Sequence, residues 1–207
     1  MKLIIYTDGG SRTNSAAEPG PASCAFVAFD EQHKYIACMN ETLIGPNNVA
    51  EYRGLLLAVN SLDPLLDFSP SDVDRIEFRA DSQLLVNQMA GNWRCRDKNL
   101  IALQHRIREI LIHYSGIAIS YVWYPREENR EADYLCNLAL DGTIIDNMFG
   151  PLPVKTKVKG ISAGQLFRAG RLTEAKPLRV DPEGYALCSS CKARLINCKC
   201  PPLEEAA

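Results

Sequence analysis

Val49-Ala-Glu-Tyr-Arg-Gly-Leu-Leu-Leu-Ala-Val-Asn-Ser-Leu62 is the stretch on which the fold turns. Glu51, Leu55, Ala58 and Leu62 fall at i, i+4, i+7 and i+11, one face of a helix. Asn48 is its expected N-cap and Pro64 its expected stop. Before this helix the pattern is that of strands. Residues 2–7 are apolar and β-branched and run into Asp8-Gly9-Gly10, a turn signal, so a buried strand is expected to end there. Residues 22–29 and 34–44 follow as an antiparallel hairpin around the polar turn Asp30-Glu31-Gln32-His33.

Beyond the helix, residues 75–80 alternate as a strand ending at Asp81, and residues 82–90 read as a short helix stopped by Gly91. Leu100, Leu103, Ile107, Ile110 and Leu111 lie at helical spacing, residues 117–124 alternate as a strand, and a last helix after Asn129 turns Ala132, Cys136, Ala139 and Leu140 inward. The order is βββαβααβα. Strand, helix, strand implies a parallel pair with a crossover, so the expected class is α/β: a five-stranded mixed sheet flanked by helices.

The 207 residues, 46% hydrophobic and 23% charged, have the balance of a soluble globular protein. The N-terminal apolar run turns polar at Thr7 and Asp8, too early for an export signal or a membrane span, so a cytoplasmic chain without a membrane partner is expected. The net charge of -2 divides unevenly near residue 147: 13 Lys and Arg against 20 Asp and Glu before it, 10 against 5 after it, or -7 and +5. An acidic body with a basic tail suits carboxylates that bind metal and a tail that meets a polyanion. The expected organisation is a body over 1–147, a basic linker over 148–187 and a cysteine cluster over 188–200.

Eight cysteines without an export signal do not read as a disulfide framework. Cys24, Cys38, Cys95 and Cys136 stand singly and are expected to be small core side chains. Cys188, Cys191, Cys198 and Cys200 give C-x2-C-x6-C-x-C, a compact tetrathiolate pattern for structural Zn²⁺ and the basis for a small C-terminal zinc-binding module. Lys155, Lys157 and Lys159 alternate, and with Arg168, Arg171, Arg179, Lys192, Arg194 and Lys199 they form a handle for nucleic acid or a docking tail for a protein partner.

Four carboxylates carry the chemistry. Asp8 and Asp81 each follow the apolar part of a strand, and ligands of open α/β sheets gather at such ends. Glu51 shares the inward stripe of its helix, and Asp133 sits in the first turn of the last helix. Acids gathered in this way repel one another unless divalent cations neutralise them, and all-oxygen donors favour Mg²⁺ or Mn²⁺.

Tyr6-Thr7-Asp8-Gly9-Gly10, Pro19-Gly20-Pro21, Asn47-Asn48-Val49-Ala50-Glu51-Tyr52, Ala80-Asp81-Ser82-Gln83 and Asn129-Arg130-Glu131-Ala132-Asp133 resemble the motif series of type 1 ribonuclease H, in family order over about residues 1–142. The resemblance implies a ribonuclease H fold in which Asp8, Glu51, Asp81 and Asp133 hold two metal ions, about 4 Å apart, and cleave the RNA strand of an RNA/DNA hybrid to 5′-phosphate and 3′-hydroxyl ends. Asn47, Asn48 and Gln83 match positions that contact 2′-hydroxyls across the minor groove, and Gly9 and Gly10 would let backbone approach the strand.

Two departures place the chain in a subgroup. None of His33, His105 and His113 lies in the loop before the last acid, where Arg126 stands instead; an arginine can meet phosphate but exchanges no proton near neutral pH. Between Gly91 and Asp97 there is no room for the basic helix of some relatives, and Trp93, Arg94 and Arg96 remain to pack on a sugar and meet phosphates, with Trp93 equally readable as a core residue. A monomer is expected. Rival readings are a non-catalytic hybrid-binding module, a domain of a reverse transcriptase polyprotein and a nuclease of the same fold with another substrate. Of the last, a 3′–5′ exonuclease is disfavoured by Gly10, which stands where an Asp-x-Glu pair would put its Glu.

Overall fold

The computed structural model describes residues 1–13, 19–67 and 72–147. In chain order these form β1 (Lys2–Ser11), β2 (Pro21–Phe29), β3 (Tyr35–Ile44), α1 (Asn47–Asn60), α2 (Leu62–Asp67), β4 (Arg75–Ala80), α3 (Gln83–Met89), α4 (Lys98–Leu111), β5 (Ala118–Trp123), α5 (Arg130–Leu140) and β6 (Asp146–Asn147). The strands make one mixed sheet in the order β5-β4-β1-β2-β3-β6. β1 runs antiparallel to β2 and parallel to β4, as the crossover through α1 requires. Among the described residues no helix is long and apolar enough to cross a membrane.

Alternation along the strands assigns the two faces. Leu3 and Ile5 of β1, Phe26 and Ala28 of β2, and Ile76, Phe78 and Ala80 of β4 meet Leu55, Ala58 and Leu62 from the predicted stripe and Val59 beside it, with Leu85, Leu100, Ile107 and Leu111 of α3 and α4 completing the core. Each fully buried Leu or Ile contributes about 1.5–3 kcal/mol. Residues of the opposite parity receive α5: the Ser23 hydroxyl donates to the Cys136 carbonyl at 2.8 Å, and Asn40 Nδ2 donates to the Leu135 carbonyl at 2.8 Å. These two bonds fix where the helix carrying Asp133 lies. Cys24, Cys38 and Cys136 are buried free thiols and Cys95 is half-buried.

The five expected strands are present, and four local expectations are corrected. The sheet gains a two-residue sixth strand, β6, on β3. β1 does not end at Asp8: Gly9, Gly10 and Ser11 continue the ladder opposite Cys24, Ser23 and Ala22, because the partner strand satisfies backbone groups that the local Asp-Gly-Gly signal would have released into a turn. Asn48 is inside α1, whose N-cap is Pro46; the Asn48 side chain accepts from the Val49 amide. Pro64 does not end the helical region but lies in the first turn of α2, where its missing N–H leaves no bond unmade. Residues 148–207, and with them the linker, the cysteine cluster and the tail lysines, lie outside the described residues.

Candidate metal centre

β1 and β4 pair with Tyr6 opposite Arg79, a register that brings Asp8 and Asp81 to neighbouring positions two residues further on. Glu51 reaches them because α1 lies hard against β1. A Cβ on Gly9 would stand 2.1 Å from the Ala50 carbonyl carbon, and one on Gly54 would stand 2.5 Å from the Asp8 carbonyl oxygen. Two absent side chains therefore set the helix-to-strand distance. The result is a group in which carboxylate oxygens of Asp8, Glu51 and Asp81 all lie within 4.8 Å of one another.

Asp133 enters from α5. Asn129, 1% exposed, donates from Nδ2 to the Thr7 carbonyl at 3.0 Å, which pins the start of α5 to the residue before Asp8. Asp133 lines the same cavity of about 280 Å³ as the other three acids but stands apart from their close group. Its Oδ1 accepts from Arg126 Nη2 at 2.8 Å, and its Oδ2 from Asn137 Nδ2 at 3.2 Å.

The electrostatics are those of an uncompensated anionic site. Burial above all, then the charges of Asp81 and Asp133, pushes Asp8 up to about 7. Burial, then Asp8 and Asp81, raises Glu51 well above the carboxylate range against the pull of Arg126 and the Gly9 amide. Asp81 is raised by burial, with Arg126 opposing. Glu51 Oε2 and Asp81 Oδ1 are buried without any hydrogen-bond partner. Buried acceptors left open beside like charges are costly, and a hard divalent cation satisfies both defects with the oxygen donors present. The residues therefore fit Mg²⁺ or Mn²⁺.

The structure distributes the other expected residues unevenly. Arg126, Asn47, Gly9 and Gly10 line the cavity. Asn47 Oδ1 accepts from the Ser11 amide at 3.2 Å and so joins the end of β1 to the start of α1. Gly9 is packed against α1, whereas Gly10 faces open space. Asn48 is half-buried, Gln83 is exposed at the start of α3, and neither lines the cavity. Trp93, 49% exposed, is not in the core; with Arg94 and Arg96 it stands on the non-helical segment between α3 and α4, away from the acids.

Three contributors went unread in the sequence. Cys136, buried on α5, lines the cavity together with Asp8, a placement that its position one turn after Asp133 would have signalled. Arg12 lines the cavity, four residues after Asp8 and just past the end of β1 at Ser11. Trp123, at the end of β5, donates from Nε1 to the Asp81 carbonyl at 3.0 Å; nothing local announces that bond.

A family model described as reverse transcriptase-like matches residues 8–139. The crystal structure of RNase H1 from the halophilic archaeon Halobacterium salinarum is similar with a TM-score of 0.59 and 35% identity, covering 69% of this chain and 100% of that one. The chain belongs to the type 1 ribonuclease H family. Another ribonuclease H1, LC11, solved in complex with an RNA/DNA hybrid, is similar at a TM-score of 0.60 and 33% identity over 68% of this chain and 97% of that one. The bifunctional protein Rv2228c of Mycobacterium tuberculosis is 35% identical over 143 residues, 68% of this chain but 36% of its own length. The chain thus spans about a third of that curated relative.

No helix separates α3 from α4, and none of the three histidines lines the cavity.

Proposed function

We propose that the chain is an endoribonuclease that hydrolyses the RNA strand of RNA/DNA hybrids and leaves 5′-phosphate and 3′-hydroxyl ends. The observation that carries this reading is the close group of Asp8 on β1, Glu51 on α1 and Asp81 just past β4, in which one oxygen of Glu51 and one of Asp81 are buried without a partner, in a chain of the ribonuclease H family. Asp8, Glu51, Asp81 and Asp133 are the residues that would hold two Mg²⁺ or Mn²⁺ ions. Bound there, such ions supply Lewis-acid activation of water and neutralise charge at the scissile phosphate.

The chain's own groups do the rest. The Asn129 bond and the close packing at Gly9 and Gly54 hold the acids at fixed distances, so little reorganisation is needed on binding. Arg126, exposed and tethered at one end to Asp133, is placed to meet a phosphate as a permanent cation. Asn47, Asn48 and Gln83 read 2′-hydroxyls, and Gly10 leaves the strand free to approach. Trp93, Arg94 and Arg96 take the second strand, and Arg12 adds a cation at the cavity rim. The same proposal includes a ribonuclease H domain over 1–147, a basic linker over 148–187 and a zinc-binding cluster over 188–200, in a cytoplasmic monomer whose tail engages the hybrid or a protein.

The test is cleavage of end-labelled RNA/DNA, RNA/RNA and DNA/DNA duplexes by the wild-type chain and by Asp81→Asn, with Mg²⁺, Mn²⁺ or EDTA. Internal cuts confined to the RNA of the hybrid, and abolished by EDTA and by the substitution, are expected. A folded wild type that binds the hybrid and cuts nothing would make the chain a binding module and sink the enzymatic reading.

A further inference from the structure

Two residues before Asp8, Asp81 and Arg126 stand Tyr6, Arg79 and Tyr124, and all three meet at a single guanidinium. Arg79 Nη1 donates to the Tyr6 hydroxyl, and Nε donates to Glu77 Oε1 at 2.6 Å. The guanidinium carbon lies 5.1 Å from the centroid of the Tyr6 ring and 4.4 Å from that of Tyr124. Phe29 meets the Tyr6 ring edge-on at 5.9 Å and Tyr124 meets it likewise at 5.9 Å, so the rings themselves are held. The Tyr124 amide donates to the Ala80 carbonyl at 2.9 Å, which ties the start of the Arg126 loop to the residue before Asp81.

This cation is 8% exposed at its side chain and takes no part in the chemistry proposed above. Nor is stability a sufficient reason for it, because a buried ion pair is often replaceable by apolar side chains at no net cost. What a guanidinium offers that an apolar group does not is direction: donors in a rigid plane and two faces for aromatic rings. Here those directions run to β1, along β4 and to the segment leaving β5, the three elements that deliver Asp8, Asp81 and Arg126.

We propose that Arg79 is a positioning residue for the hydrolytic site, a clamp one layer beneath it that sets the lateral spacing of Asp8 on β1 and Asp81 just past β4 and the height of the Arg126 loop. The proposal rests on the ribonuclease reading for its catalytic consequence but not for its structural one. Loss of the clamp lets Asp8 and Asp81 drift apart by fractions of an ångström. Metal affinity and turnover then fall together, while hybrid binding, spread over Asn47, Gln83 and the basic loop, is retained.

The experiment uses the full chain with Arg79→Met, Arg79→Lys and Tyr124→Leu. In Arg79→Met the Glu77 carboxylate keeps its Lys2 partner at 3.2 Å, and Tyr124→Leu strands no charge at all, so one of the two reports even where the other fails to fold. Steady-state cleavage of hybrid and calorimetric titration with Mn²⁺ are measured for each. For Arg79→Met and Tyr124→Leu we expect kcat down by about tenfold with KM within about twofold, and Mn²⁺ bound several-fold more weakly, the scale of a small misplacement of reacting groups. Arg79→Lys, which keeps a cation between the rings, is expected to recover most of both. Folded variants with wild-type kcat and Mn²⁺ affinity overturn the proposal, as does an Arg79→Lys no better than Arg79→Met. Should the wild type cleave no hybrid, the ribonuclease reading fails and the Mn²⁺ titration alone decides the clamp.

Discussion

Replacing Gly9 by alanine tests whether the site is built by the approach of α1 to β1. The added Cβ would sit 2.1 Å from the Ala50 carbonyl carbon and 2.2 Å from the Glu51 nitrogen, both backbone atoms that no side-chain rotation can clear. From 2.1 Å to the 3.4 Å of ordinary contact, α1 must withdraw by about 1.3 Å, at the turn that bears Glu51. Overpacking of this kind costs about 3 kcal/mol, near the top of the usual range because backbone must move. For a domain of this size that corresponds to a Tm lower by roughly 10 °C. The same withdrawal takes Glu51 from Asp8 and Asp81, and a misplacement of about 1 Å costs on the order of a hundredfold in rate. Gly10→Ala is the control for stability, since a Cβ there meets nothing within 4 Å. Thermal unfolding and hybrid cleavage are measured for both. A Gly9→Ala protein as stable as Gly10→Ala and cutting within threefold of wild type would refute the reasoning.

Three further outcomes are expected. In EDTA, the raised Asp8 makes the folded state hold more protons than the unfolded one between about pH 4 and 7, and the raised Glu51 acts in the same direction; stability therefore falls as pH rises through that window, by on the order of 4 kcal/mol from Asp8 alone, and thermal melts that stay flat from about pH 5 to 7.5 would contradict it. Saturating Mg²⁺ should remove the slope. Arg126→Ala breaks an ion pair whose arginine is 74% exposed, so Tm should move by less than about 2 °C while kcat drops and Mn²⁺ binds more tightly for want of a competing cation; weaker Mn²⁺ binding would count against that electrostatic account. Deleting residues 148–207 removes 10 basic and 5 acidic residues and should weaken hybrid binding and flatten its salt dependence, the slope falling by about 0.9 for each phosphate the tail neutralises; equal affinity at every salt concentration would exclude the tail from the substrate.

Much of the site was legible because its parts are local. Glu51 declared itself by sharing a stripe with Leu55, Ala58 and Leu62, all of which are buried in the core. Asp81 follows an alternating strand and Asp133 opens a helix, both as their spacing predicts. The misreadings came where neighbours in space overrule neighbours in sequence. Asp8-Gly9-Gly10 reads as a turn, yet β2 supplies a partner for each residue and the strand runs on. Trp93 reads equally as core or surface, since a single aromatic in a loop has no period to assign its side.

Residue type and short-range spacing settle which groups are available: four acids, an arginine in place of a histidine, strand and helix periods, and a tail of opposite charge. These are properties of residue type and of spacing within a few turns, and local chemistry is enough to set them. The distances come from long-range packing. The closeness of Glu51 to Asp8 comes from two glycines on different elements, the seat of Asp133 from an Asn129 bond to Thr7, and the alignment of Asp8 with Asp81 from the β1–β4 register above an arginine held between two tyrosines. Each of these contacts joins residues tens of positions apart, and no period within one element encodes them. They exist once burial has paired the strands and pressed the helices onto the sheet.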